Sequence, residues 1–247
     1  GDDAGLEMVG DGEFVARPDH FQLTIPGNPA ATSVQDDNAF VAAGDDFEVR
    51  VSSINASGNV TPNFGQETPA EDVVLEASLV APSGGDSPAL SGSFGDFGQD
   101  CTGAPAAGGT ACGQFHWPEV GIISITPELA SGGYLGTANV IGNAVSHVGR
   151  FVPDRFGVTI TEPGEIEAYC DISAAFSYIG KPFKWLSGAE PALLVEALNV
   201  GGAVTRNYTL GDFLRLSPGS LVRTPAVADN SGLDANGAPF PPIRLCP

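Results

Sequence analysis

Short runs of alternating apolar and polar residues, each closed by a turn cluster, dominate the chain. From His20 to Ile25 the residues Phe21, Leu23 and Ile25 fall on one face at period two, and Pro26-Gly27-Asn28-Pro29 ends the run. Phe47, Val49 and Val51 alternate with Glu48, Arg50 and Ser52 after a Gly-Asp-Asp turn, the mark of a half-buried antiparallel strand. Further strands are expected at Val73–Val80, Phe115–Trp117, Gly121–Ile125, Tyr134–Val140, Val145–Arg150 and Leu193–Leu198. Phe94 and Phe97 sit among glycines, so a loop or sheet edge is expected there. With 33 Gly and 20 Pro the chain is punctuated too often for long helices, and the class is all-β.

Two of these runs are copies of each other. Phe14–Ile25 reads FVARPDHFQLTI, and Phe151–Ile160, within the stretch HVGRFVPDRFGVTI from His147, reads FVPDRFGVTI. A second echo follows each: INASGNVTPNF at 54–64 and LNVGGAVTRNY at 198–208. Asn, Gly, Val, Thr, Asn and an aromatic recur in register, which indicates an internal duplication. Phe176–Phe183 also matches Phe40–Phe47. The expected organisation is an acidic flexible leader over 1–13, a first unit over 14–149 and a second over 150–247 that ends in a turn-rich tail. Both units are expected to be immunoglobulin-like antiparallel β-sandwiches in tandem. Counterparts of the first unit's closing strands are not legible after Tyr208, so the second unit is either smaller or closed by residues outside this stretch. The chain lacks an initiating Met and a signal-like start, and reads as a mature or excised piece. Around Val152-Pro153 the copied motif reads as a strand-entering hinge, with Arg150, Asp154 and Arg155 as candidate ion-pair latches between units.

Composition narrows the partners. Thirty acids stand against ten bases, a net charge of -20, and Lys181 and Lys184 are the sole lysines. Such a field repels nucleic acids and anionic membranes and reads first as a solubility device. No apolar span is long enough to insert in a bilayer. Four cysteines allow three pairings. Cys101 and Cys112 enclose ten small residues that pack poorly, and a bond across that loop is worth about 3 kcal/mol on the chain-entropy model. Proximity favours that pair and leaves Cys170 for Cys246, stapling the tail to the second unit. No C-x-x-C spacing occurs and there are three histidines, which argues against zinc, and the compartment is expected to be oxidising.

Several stretches, taken in order, carry a family resemblance. They are His116-Trp117-Pro118-Glu119-Val120-Gly121, Tyr134-Leu135-Gly136, Val148–Phe156, Phe176–Phe183 and Asn207-Tyr208. Together, over roughly Phe115–Leu216, they resemble the MshQ-like proteins of the mannose-sensitive haemagglutinin type IV pilus system of aquatic bacteria. The shared part is a domain of unassigned function, without catalytic residues to carry over. The resemblance implies a secreted or cell-surface, pilus-associated protein with other pilus or surface proteins as partners.

Candidate chemistry is sparse. Trp117 and Trp185 could stack on a sugar ring, although a core role is the more common fate of each. No G-x-S-x-G elbow or phosphate loop is present. The acid pairs Asp2-Asp3, Asp36-Asp37, Asp45-Asp46 and Glu71-Asp72 could serve a secreted glycosidase only if two carboxylates faced each other, and neighbours on a strand point to opposite faces. Asp229, Asp234 and Asn236 offer oxygen ligands for Ca2+ but miss the EF-hand spacing. The expectation is therefore a non-enzymatic module for attachment or pilus assembly, without a cofactor. A carbohydrate-binding module is the first alternative and a glycoside hydrolase with paired carboxylates the second.

Overall fold

The computed structural model describes residues 14–32, 38–165, 185–217 and 220. Among the described residues nine strands form, all in antiparallel ladders, so the all-β expectation holds. Among the described residues no helix is long and apolar enough to cross a membrane.

The first seven strands make one sandwich. Strands β1 (His20–Thr24), β2 (Asp46–Ile54), β4 (Ser91–Phe94) and β5 (Thr110–His116) lie in the order β1-β2-β5-β4. Facing them, β3 (Val73–Ala81), β6 (Gly121–Leu129) and β7 (Val145–Phe151) lie in the order β3-β6-β7. This division is that of the constant-type immunoglobulin sandwich. Residues 40–43 add a short parallel contact along the end of β7, where Phe40 N–H donates to the Arg150 carbonyl and Ala43 N–H to that of Val152.

Period two explains the core. Phe21, Leu23, Phe47, Val49, Val51 and Phe115 face inward from the four-stranded sheet and meet Val73, Ile123, Ile125, Val148 and Phe151 from the other. Strand β6 carries little polarity, GIISITPEL, because it lies between β3 and β7 with its inner face fully buried. Phe94 and Phe97 both pack into this core from the sheet edge and the following loop.

One expected strand is absent. Residues 134–136 form a single 3-10 turn, since Leu135 at φ 45° and Gly136 at φ 80° reverse the chain. Tyr134 enters the core instead, and its hydroxyl donates to Glu67 Oε1.

The duplication is visible in the hydrogen bonds. Strand β8 (Arg155–Glu162) pairs with β9 (Ala192–Leu198) as β1 pairs with β2: Phe156 faces Ala197 where Phe21 faces Ser53, and Val158 faces Val195 where Leu23 faces Val51. The turns after β2 and β9 agree bond by bond. Asn55 N–H donates to the Asn59 carbonyl at 2.8 Å and Asn199 N–H to that of Ala203 at 2.9 Å. Thr61 reaches back to Ser53, and Thr205 to Ala197, through both the backbone N–H and the hydroxyl. Gly58 and Gly202 occupy the same left-handed corner at φ 80° and 83°, which a side chain would strain. Even the aromatic that follows is placed alike, with Phe64 edge-on to Phe21 and Tyr208 edge-on to Phe156. The leader at 1–13 and the Phe176–Phe183 match lie outside the described residues.

Candidate interaction surface

Only three residues, Val152, Pro153 and Asp154, separate β7 from β8. The boundary expected at 149/150 therefore falls inside β7, and the copied motif is split between the last strand of the sandwich and the first of the repeated hairpin. Asp154 pairs with its neighbour Arg155 at 2.5 Å, within the hairpin. Among the described residues this ion pair joins chain neighbours and links no two units, which corrects the expectation of an ion-pair latch through Asp154 and Arg155.

The latch is made of buried uncharged amides and one carboxyl. Glu119, just before β6, accepts Val120 N–H at 2.8 Å and Asn207 N–H at 3.2 Å on Oε1, and Arg206 N–H at 2.9 Å on Oε2. Asn207, with no exposed surface, accepts Asp86 N–H at 2.7 Å and donates to the Asp86 carbonyl at 2.9 Å. Asn199 donates to the Pro118 carbonyl at 3.0 Å, and Val200 N–H donates to that of Ala43 at 2.9 Å. A Cβ on Gly85 would come within 2.5 Å of Asn207 Oδ1, so only glycine permits this approach. Around these bonds Ala43, Val120, Ile122, Ala197, Tyr208 and Phe213 form a second apolar cluster that belongs to both sides. Burial pushes the Glu119 carboxyl above the usual range, against the pull of its three N–H donors.

Beyond this junction no described residue packs over the apolar face of the hairpin. Phe156, Val158 and Ile160 on β8 share one face with Leu193 and Val195 on β9, and Val158 and Ile160 are 58% and 66% exposed. Their counterparts Phe21, Leu23, Val49 and Val51 are buried beneath β3, β6 and β7. At the far end, Glu162, Glu165 and Glu190 line a shallow acidic hollow. Trp185 lies there against Gly164, 42% exposed.

The two tryptophans thus part company. Trp117 is wholly buried, its indole N–H donating to the Pro88 carbonyl at 3.1 Å, so it offers no face to a sugar. Trp185 keeps an accessible surface. Of the acid pairs, Glu71 and Asp72 line an open cleft of about 700 Å³, yet both carboxylates are structural acceptors. Glu71 takes the Ser131 hydroxyl and Leu135 N–H, while Asp72 takes Val73 N–H. Asp45 accepts Asp46 N–H, and Asp46 lies 3.3 Å from His116. Asp2-Asp3, Asp36-Asp37 and the Asp229, Asp234 and Asn236 set lie outside the described residues.

Cys101 and Cys112 are joined. The Glu48 carboxylate lies within 4.8 Å of both sulfurs, but bonded sulfurs have no thiolate to give a metal. Cys170 and Cys246 lie outside the described residues. Intact-mass analysis with alkylation before and after reduction is expected to find no free thiol in the native protein; four reactive thiols would overturn both pairings.

Sequence comparison supplies a family at this point, because residues 17–109 match the second domain of DUF6701 and residues 119–241 match its third. The chain belongs to the DUF6701 family. No curated protein and no solved structure matches it. The two DUF6701 segments do not coincide with the sandwich: β1 to β4 come from the second-domain match, β6 and β7 from the third, and β5 lies between. The third-domain match begins at Glu119 and contains its partners Arg206 and Asn207, so both halves of that contact fall in one DUF6701 segment.

Sequence reasoning overlooked Glu119, Asn199 and Asn207. A signal was present: a lone acid beside the apolar run VGIISI must be satisfied by donors from elsewhere.

Proposed function

We propose that this chain is a non-enzymatic, extracellular module of a bacterial surface protein, of the MshQ-like, pilus-associated kind, and that it works in attachment or pilus assembly. The observation that carries this reading is the junction. An immunoglobulin-type sandwich is joined to a copy of its own first hairpin by three residues and a buried hydrogen-bond network, which suits a stiff spacer in a surface assembly. The Cys101–Cys112 bond suits an oxidising compartment. Surface labelling of intact cells with antibody against the native protein, together with co-purification with sheared pili, tests the reading. Surface signal and pilus association are expected; a purely cytoplasmic location would sink it.

Trp185 favours a second reading, carbohydrate binding, because an accessible indole beside acidic side chains is the kind of platform on which a sugar ring stacks. On a glycan array, binding that is lost in Trp185→Ala but kept in Val74→Ala, on the sandwich surface, is the expected pattern. Equal binding by the two variants would remove this reading.

A further inference from the structure

On the outer face of the sandwich two sulfurs and a carboxylate meet. Arg50 on β2 stands opposite Cys112 on β5, and Glu48 is the next residue along β2 on that same face. Glu48 Oε1 accepts Arg50 Nε–H at 2.6 Å, and a carboxylate has a second oxygen to offer. Glu48, Cys101 and Cys112 present ligand atoms within 4.8 Å of one another, the one such group of three among the described residues. While the sulfurs are bonded to each other the set holds no ion. Reduced, it offers two thiolates and a carboxylate, donors that Zn2+ takes readily.

Hydrogen bonds other than the sulfur bridge also hold the two cysteines close. Gly95 N–H donates to the Cys112 carbonyl at 2.9 Å, Gly98 N–H to that of Thr110 at 2.8 Å, and Ala106 N–H to that of Gly98 at 2.7 Å. Asp100, beside Cys101, closes the turn by accepting Thr102 N–H at 2.8 Å and Ala104 N–H at 3.0 Å on its carboxylate. The Cα atoms of Cys101 and Cys112 are 4.9 Å apart. Two thiolates on one tetrahedral Zn2+ lie roughly 3.8 Å from each other, so the freed sulfurs reach that spacing by side-chain rotation alone. Charge closes as well. Zn2+ with two thiolates and a carboxylate is left with a single negative charge, which the Arg50 guanidinium beside Glu48 offsets.

We propose that Glu48, Cys101 and Cys112 form a redox-masked site for a thiophilic divalent cation of the Zn2+ class. A small dithiol unmasks it. One thiolate of the dithiol attacks the sulfur of Cys101, which is exposed where Cys112 is buried, and Cys112 leaves as the thiolate. The second thiol then closes the dithiol into its own disulfide and frees Cys101. Two electrons and two protons pass from the dithiol to the cysteines, and the metal displaces both protons, with water in the fourth position. The assignment does not depend on where the protein works, and surface labelling or glycan binding could fail without touching it.

Titration of the full chain with Cd2+, followed by sulfur-to-metal charge-transfer absorption, tests it. In a background of Cys170→Ser with Cys246→Ser, the dithiol-reduced and desalted chain is expected to take one Cd2+ with that absorption, and the oxidised chain none. Adding Cys101→Ser is expected to abolish the absorption. Adding Glu48→Gln is expected to weaken binding at least about tenfold, the least that losing even an outer-shell partner of a metal costs. Zn2+ is expected to compete with Cd2+ and to slow alkylation of both cysteines. The same comparison of reduced native chain with its Cys101→Ser variant subtracts any contribution of Cys170 and Cys246, and so serves if the double-serine background does not fold. Near-ultraviolet dichroism of the buried Trp117 is expected to survive reduction. Absence of the absorption in the reduced chain, an affinity unchanged by Glu48→Gln, equal binding by the oxidised chain, or loss of the Trp117 signal on reduction would each overturn the proposal.

Discussion

Trp117→Ala is expected to lower the free energy of unfolding by about 4 to 5 kcal/mol, at the upper end of what a large-to-small core substitution costs. Trp117 has no exposed surface and packs on Phe151 with ring centroids 5.3 Å apart. Phe151 in turn contacts Phe40 and Phe47, so the cavity would open among aromatic rings that cannot collapse into it without leaving their rotamers. The indole N–H bond to Pro88 is lost as well, which leaves a carbonyl near β4 short of a donor. Trp117→Phe keeps most of the volume and is expected to recover more than half of the loss. Urea denaturation followed by far-ultraviolet dichroism measures both variants. A loss below about 1 kcal/mol for the alanine variant would mean that Trp117 is not the anchor its burial indicates.

Glu119→Ala is expected to cost about 4 kcal/mol at the junction, because it strips the acceptor from three backbone N–H groups, each worth about 1 to 3 kcal/mol when orphaned in a buried site, with partial repair by water. The amides of Arg206 and Asn207 are then expected to exchange roughly a thousandfold faster, while those of β2 and β5 keep their rates. If β2 and β5 accelerate in step, the contact belongs to the global fold instead of the junction. The pH dependence is a separate test. Burial, the largest influence, raises the Glu119 pKa in the folded protein, so the folded state holds the proton more tightly than the unfolded one. The contribution of that group to stability is therefore fully present below its ordinary value of 4.5 and is lost as the pH rises through the folded value. The melting-temperature advantage of the native protein over Glu119→Gln is expected to be largest below pH 4.5 and to shrink as the pH climbs. An advantage that grows with pH would show that the three N–H donors outweigh desolvation.

Much of this architecture is legible in the residues because it rests on short-range pattern. Period-two alternation locates β1 and β2, apolar runs locate β3 and β9, and the repeated Asn, Gly and Thr positions locate two turns whose hydrogen bonds agree in kind. Tyr134–Val140 misleads, since its apolar and small residues suit a strand while Leu135 and Gly136 take left-handed conformations that composition does not signal. The junction is harder still. Glu119 meets Asn207 across 88 positions and Asp86 meets Asn207 across 121, so no local pattern couples them. Both Glu119 and Asn207 stand in the stretches that carry the family resemblance, HWPEVG and Asn207-Tyr208. Their association there was a matter of sequence order; in the fold it is a hydrogen bond.

The three-residue passage from β7 to β8 also sets how the chain would carry tension. A pull on the polypeptide beyond β9, resisted at β1, finds no slack to draw out between the sandwich and the hairpin, since Val152, Pro153 and Asp154 span roughly 10 Å at full extension. The load passes at once into the Glu119, Asn199 and Asn207 bonds, which connect the two sides in parallel and must strain together. Such a joint yields abruptly at one force instead of unravelling residue by residue, so the module would keep its length up to a threshold.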